Sequence, residues 1–313
     1  MLFRLSLVFA LLAAAGCSRQ RTSVAVDAAL LTQVPSDTVA LGAMRVKALR
    51  KTTAWQKLLA QPGVNAYFDR LAAETSFDPR KDLWEVLWST DGKDTLVYAR
   101  GEFAPMGLEP KIEREGIQRM NYKGSMLLGN EENAVWFVNS STGIYGRTER
   151  LHRMIDERGT AKVGPAEALR EKINGLPPDS HFWMVAESAA LARLSPAEGN
   201  AARNLASNLP KLLHSVRMVT MHASLTDGVV LEAAADCTDE AGARQVHDSL
   251  RGLVGLARFG MPPEQRAAFL PVLDGVEVTQ KQTVAVLKAR MTTSQLEAVQ
   301  AAWPARAKEK PGE

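Results

Sequence analysis

Few residues in this chain could carry out chemistry. The five histidines, His152, His181, His214, His222 and His247, are the first candidates for metal binding or proton transfer. No two of them have the spacing that places two imidazoles on one helix face for zinc, and no Cys-x-x-Cys occurs. His214 and His222 fall near one predicted hairpin with Glu232 and Asp236, where polar residues on an open sheet face are the simpler account. Glu131-Glu132 sits where a hairpin must turn. Asp91-Gly92-Lys93-Asp94 lacks the spaced carboxylates of a calcium loop, and Lys93 would oppose a cation. No Gly-x-Ser-x-Gly elbow, Walker loop or dinucleotide fingerprint is present. Cys237 follows Asp236 at a strand-to-helix junction and reads as an inert thiol. The expectation is therefore no catalytic residue, no metal and no cofactor. What remains is aromatic: Trp84, Trp88, Tyr98 and Trp136 crowd the strands of the first half. The even spacing of Trp84 and Trp88 puts them on one strand face. They are candidates for an interaction surface, with core packing as the alternative.

A different kind of site stands at the N-terminus. Arg4 gives a basic start, Leu5 to Ala15 is an almost unbroken apolar run, and Gly16-Cys17 follows. That is the layout of a secretory signal peptide. The run falls short of the roughly 20 residues that span a bilayer. Ala14-Ala15-Gly16-Cys17 resembles the lipobox of bacterial lipoproteins, with Ala where Leu is commoner. The resemblance implies cleavage between Gly16 and Cys17 and acyl chains on Cys17 as the membrane attachment. The rival is ordinary cleavage after Ala15. Ser18 after the cysteine, by the same resemblance, favours the outer membrane over the inner.

The elements between these features repeat. Val34-Pro35-Ser36-Asp37-Thr38 opens one ordered unit, and Leu176-Pro177-Pro178-Asp179-Ser180 opens another 142 positions on (177 − 35). Each leads into a strand and then a helix. Thr90-Asp91-Gly92 and Thr226-Asp227-Gly228 each sit between two strands. These echoes predict an internal duplication. The predicted fold class is α+β, with two related lobes, each an antiparallel sheet with helices packed on one face. The predicted boundaries are a signal peptide over 1–16, a lipidated cysteine and tether over 17–33, and a first lobe over 34–158. A linker and helix over 159–175, a second lobe over 176–303 and a disordered tail over 304–313 complete the chain. Further helices are expected near 105–115 and over 239–259, the latter capped by Thr238, and Thr292-x-x-Gln295 has capping-box spacing. In the hairpin after Val219, alternation of apolar residues demands a three-residue loop, Thr226-Asp227-Gly228. That loop places Leu225 opposite Val229 and His222 opposite Glu232.

The Pro-x-Asp openings, Phe77-Asp78-Pro79-Arg80-Lys81-Asp82-Leu83 and Asp94-Thr95-Leu96-Val97-Tyr98-Ala99-Arg100-Gly101 together resemble uncharacterised duplicated envelope lipoproteins of acidobacterial type. That likeness implies fold and address but no activity.

Composition narrows the function. Hydrophobic residues make up 46% and charged residues 23%, ordinary for a packed core with a solvated surface. A net charge of +3 is too small to imply a nucleic-acid partner. The expected function is an exported, lipid-anchored, non-catalytic envelope protein that binds or scaffolds an unidentified envelope protein. The alternatives are a carrier of an apolar ligand between sheet and helices, or an enzyme without a recognisable motif. Expressed in a lipoprotein-processing bacterium, the wild-type chain should incorporate labelled palmitate and sediment with membranes, and Cys17→Ala should not label. An unlabelled wild type beginning at Gly16 would establish ordinary cleavage instead.

Overall fold

The computed structural model describes residues 26–103, 116–159, 164–193 and 213–302. The signal segment, Cys17, the helix expected near 105–115 and the tail over 304–313 lie outside the described residues. The chain is α+β, as expected. Its first half contributes strands β1 (Ala40–Met44), β2 (Leu83–Thr90), β3 (Thr95–Gly101), β4 (Gln118–Tyr122), β5 (Ser125–Gly129), β6 (Asn133–Asn139) and β7 (Thr142–Arg147). The second half contributes β8 (Phe182–Glu187), β9 (Val216–Ser224), β10 (Val229–Cys237), β11 (Val276–Lys281) and β12 (Val284–Met291).

The expectation of two separate sheets is corrected. All these strands form one antiparallel sheet in the order β11-β12-β10-β9-β8-β1-β2-β3-β7-β6-β5-β4. The two halves meet where β1 pairs with β8. Within each half the connections run alike: β1-β2-β3-β7-β6 on one side of the seam, β8-β9-β10-β12-β11 on the other. The seam register is symmetric about Gly42 opposite Met184, with Ala40 opposite Ala186 and Met44 opposite Phe182. Its ends match as well. Arg45 N–H donates to His181 O at 2.8 Å, and Glu187 N–H donates to Val39 O at 2.9 Å. Each Pro-x-Asp motif closes the same turn before its strand: Thr38 N–H bonds Pro35 O, and Ser180 N–H bonds Pro177 O.

Successive residues of a strand face opposite ways, so the register defines two faces. The front face carries Leu41, Ala43, Leu87, Tyr98, Trp136, Ile144, Trp183 and Val185, all in one core cluster. Over it pack α1 (Ala28–Leu31) through Leu30, α5 (Thr148–Asp156) through Leu151 and Ile155, and α6 (Glu167–Asn174) through Leu169 and Ile173. The tether expectation therefore fails for residues 26–33, because Val26 and Leu30 are buried in this core. The helix of the expected linker is likewise a core element. Between β1 and β2 run α2 (Val46–Leu49), α3 (Thr53–Leu59) and α4 (Pro62–Thr75). On the back face α7 (Ser188–Arg193) covers Ala40 and Ala186 with Ala190. Further along the back, α8 (Glu240–Phe259) packs Ala243 and Val246 against Cys237 and Ala285. The chain closes with α9 (Pro263–Asp274) and α10 (Thr293–Ala302). The helices thus divide between the two faces of one sheet. Among the described residues no helix is long and apolar enough to cross a membrane.

The expected hairpin register holds. Ser224 pairs with Val230 and His222 with Glu232, and Gly228 takes the left-handed conformation, φ 106°, that the three-residue loop needs. Thr292 and Gln295 exchange both capping-box bonds, at 2.8 and 3.2 Å. The cap of α8 is Asp239 rather than Thr238. The Asp239 carboxylate accepts from Gly242 N–H at 2.7 Å, while the Thr238 hydroxyl donates to Ser215 O.

At the centre of the seam a Cβ on Gly42 would lie 2.5 Å from the Trp88 ring. Gly42→Ala should therefore destabilise the protein by about 1–3 kcal/mol in urea denaturation. Trp88→Leu in the same chain should recover part of that loss. A neutral Gly42→Ala would show that this close approach imposes no constraint.

Candidate functional site

At one end of the seam the sheet, α2 and the loop before β8 enclose a cleft of about 630 Å³. This size falls within the usual range for ligand sites, roughly 300–1,000 Å³. Its walls come from chain segments far apart in sequence. Asp27 stands just before α1; Arg45 precedes α2, Lys47 lies on it, and Lys51 and Thr52 follow it. Trp84 and Glu85 open β2, and Arg100 ends β3. Asp179 and His181 precede β8, and Thr226 comes from the β9–β10 loop.

Each wall residue is placed by a local device. Asp27 caps α1 by accepting from Ala29 N–H at 2.8 Å, and its other oxygen pairs with Arg100. Arg45 reaches across the seam and donates to Pro178 O. The Arg50 guanidinium donates to Leu83 O at 2.5 Å and to Pro79 O at 3.3 Å, tying α2 to the start of β2. The turn before that strand is held by Arg80, which bonds Asp78 at 2.8 Å and Asp69 at 2.7 Å. A bulge between Leu83 and Glu85 breaks the strand's alternation, so Trp84 lines the cleft together with Glu85. Lys47 lies 6.0 Å from the centre of the Trp84 ring.

Electrostatically the cleft is unequal. Arg45, Lys47, Lys51 and Arg100 face Asp27, Glu85 and Asp179. Glu85 shares the core-facing parity of Leu87 and lies opposite Arg100 in the ladder. Burial pushes its carboxyl up to about 7, with Asp27 adding to the rise; the Asp27 N–H, Arg45 and Arg100 pull the other way. Two atoms of this pair, Glu85 Oε1 and Arg100 Nε, are buried and make no hydrogen bond within the structure. The His181 imidazole is pulled below its ordinary range, first by burial and then by Arg45. Its Nδ1 accepts from Leu225 N–H at 3.2 Å, which leaves the proton on Nε2.

The aromatic residues singled out in the sequence do not form one surface. Tyr98 and Trp136 are 0% and 2% exposed and belong to the front core, where the Tyr98 hydroxyl bonds Ser89 at 3.1 Å. Trp88 packs on the back face with Ala40 and Ala186. Only Trp84 reaches the cleft. The reason is the bulge, which separates Trp84 from the parity of Trp88. The predicted attachment and cleavage residues, Gly16 and Cys17, lie outside the described residues.

The other candidates resolve simply. Among the described residues no group of three or more His, Cys, Asp or Glu could hold a metal ion. Glu232 pairs with Lys288 at 2.9 Å and Asp236 with Lys172 at 2.6 Å, so the carboxylates beside His222 are neutralised by lysines. The His152 ring stacks on Tyr122 at 3.8 Å. Glu131 and Glu132 are exposed in the β5–β6 turn, and Asn130 accepts from the N–H of Glu132 and Asn133 there. Cys237 is fully buried, and burial raises its thiol pKa.

Sequence reasoning missed the cleft. The one legible signal was Glu85, an acid on the same parity as Leu87 and Ser89 in an otherwise apolar strand.

No family model matches the sequence, and no curated protein matches it. Among solved structures, crystal forms of the treponemal protein TP0453 are similar to this chain. Form I gives a TM-score of 0.49 at 9% identity, covering 88% of this chain and 98% of that one. Form IV gives 0.48 at 9% identity, covering 87% and 94%.

Because folded Glu85 holds its proton to about pH 7 and a free glutamate releases it near 4.5, the folded state binds more protons between those values. Stability should be fully present below about pH 4.5 and fall as pH rises to about 7. Glu85→Gln should flatten that interval, removing a loss on the order of 1–2 kcal/mol after allowance for solvent screening in the open cleft. Denaturant midpoints of both proteins from pH 4.5 to 8 measure it. Parallel curves would contradict the assignment to Glu85.

Proposed function

We propose that this protein is an exported, lipid-anchored, non-catalytic binding module of the cell envelope, with the seam cleft as its recognition site. The apolar leader and Cys17 support the anchor, and Ser18 favours the outer membrane. The observation that carries the binding reading is the cleft itself, an open concave site whose wall holds the incompletely bonded pair Glu85 and Arg100. A non-catalytic role is supported by how the wall groups are engaged. The Thr52 hydroxyl donates to Leu49 O at 2.7 Å and caps α3 through Trp55 N–H at 3.2 Å. His181 Nδ1 is occupied by Leu225 N–H. Among the described residues, no nucleophile paired with a base lines the cleft.

The convergence of Asp27, Glu85 and Asp179 favours a second reading, an enzyme in which Glu85 serves as general acid. The carrier of an apolar ligand has less in its favour. The space between sheet and front helices is filled by Leu30, Tyr98, Leu151 and Trp183, each 0% exposed.

A photo-crosslinking residue placed at Thr226, on the cleft rim, should give an envelope-derived adduct in cells, and one at exposed Arg290 should not. The Thr226 adduct should fall when Cys17→Ala removes the anchor. Equal labelling from both positions would reject the cleft as the recognition site.

A further inference from the structure

The seam has two ends built on the same plan, and two of the basic residues at one end, Arg45 and Lys47, have no basic counterpart at the other. The symmetric register makes residues 142 positions apart equivalent (186 − 44). The counterpart of Arg45 is then Glu187, and the counterpart of Lys47 is Ala189. The same reasoning applies to Glu85. Ala40 pairs with Thr90 and Phe182 with Ala223, so five residues back along each neighbouring strand Glu85 corresponds to Met218, a buried core residue. The framework therefore accepts acidic, small or apolar residues at these positions. The arginine, the lysine and the buried acid are features of the cleft and not requirements of the seam.

Their arrangement has a direction. Arg45 is fixed by its bond to Pro178 O, and Arg100 by Asp27. Arg100 Nε is a buried donor without a hydrogen bond, and Oε1 of its ladder partner Glu85 is in the same condition. Lys47 and Lys51 stand exposed at the rim, with the half-buried Trp84 ring beneath Lys47. Guanidinium and ammonium groups converging from different segments suit the several oxygens of an anion, and the indole suits an apolar body attached to it.

We propose that the seam cleft binds a phosphate-type oxyanion, held by Arg45, Lys47, Lys51 and Arg100, with Trp84 against the ligand's remaining part. The proposal rests on the reading of this cleft as the recognition site. In the bound state Glu85 carries its proton and donates to the anion. The groups facing it are Asp27 before α1, Arg45, Lys47 and Lys51 about α2, Arg100 on β3, and Asp179 and His181 before β8. Burial and then Arg45 push the His181 imidazole toward its neutral form. Affinity should therefore rise as pH falls through about 7, where Glu85 takes up its proton.

Titration calorimetry of the purified protein with inorganic sulfate, a tetrahedral oxyanion whose charge is the same at pH 6 and pH 8, tests this. A second arm uses vesicles of phosphatidylglycerol in phosphatidylcholine against phosphatidylcholine alone. Binding should be about 5–10-fold tighter at pH 6. Lys47→Glu combined with Lys51→Glu, both at exposed positions, should weaken it at least about tenfold. Arg290→Glu, an exposed site elsewhere, should leave it unchanged. Glu85→Gln keeps a donor, so it should bind with no difference between the two pH values. Binding of sulfate supports a free tetrahedral oxyanion as the ligand, and binding of phosphatidylglycerol vesicles alone supports a lipid headgroup. Equal weakening by the cleft and Arg290 variants, or no binding in either arm, overturns the proposal. A Thr226 crosslink obtained without oxyanion binding would overturn the ligand class while leaving the recognition site standing.

Discussion

Antiparallel pairing of β1 with β8 turns two sets of strands into one layer, and the remaining architecture follows from it. Left unpaired, either strand would present an apolar edge with an open row of backbone groups, a site for wrong association. The pairing also brings Trp183 and Val185 beside Leu41 and Ala43, so the front core runs unbroken across the boundary between halves. Helix α6, which the chain makes between the two halves, then has a floor to cover through Leu169 and Ile173.

The same pairing creates the cleft, because the loops at one end of the seam stand close without filling the space between them. Elsewhere the protein neutralises its charges locally. Asp37 receives Arg150 at 2.7 Å, and Asp78 receives Arg80 at 2.8 Å. Glu85 is treated differently. It has arginines on two sides, yet burial outweighs them, and one of its oxygens has no donor. A buried carboxyl whose pKa is raised by burial in the wall of a cleft is the kind of group found at functional sites.

Short-range features were legible in the sequence. Alternation on both sides of Thr226-Asp227-Gly228 fixed the hairpin register, because a slip of one residue would have put Glu232 and Asp236 among apolar neighbours. The capping box at Thr292 was readable from two residues. Long-range features were not. Strand parity tells that Tyr98 and Leu96 share a face but not which face a helix will cover, so buried aromatics were read as a possible surface. The bulge at Trp84 leaves no mark in composition. The repeated Pro-x-Asp motif marked the turn before β1 and the turn before β8 without revealing that these two strands would join. Asp179 and Arg45 become neighbours only through that joining, so no local pattern could have grouped them.

The seam also has a consequence in time. Ala40 pairs with Ala186, so β1 gains its second neighbour only after most of the second half's first strand exists. During synthesis the segment Ala40-Leu41-Gly42-Ala43-Met44, uncharged and apolar, must wait with one ladder of backbone groups open. Contacts this distant along the chain slow folding, and open strands are where chains associate wrongly. The finished sheet hides its most adhesive strand at the centre, and its outer edges are strands bearing Arg119, Glu277 and Lys281. A chain halted before residue 182 would expose the strand that the complete protein never shows.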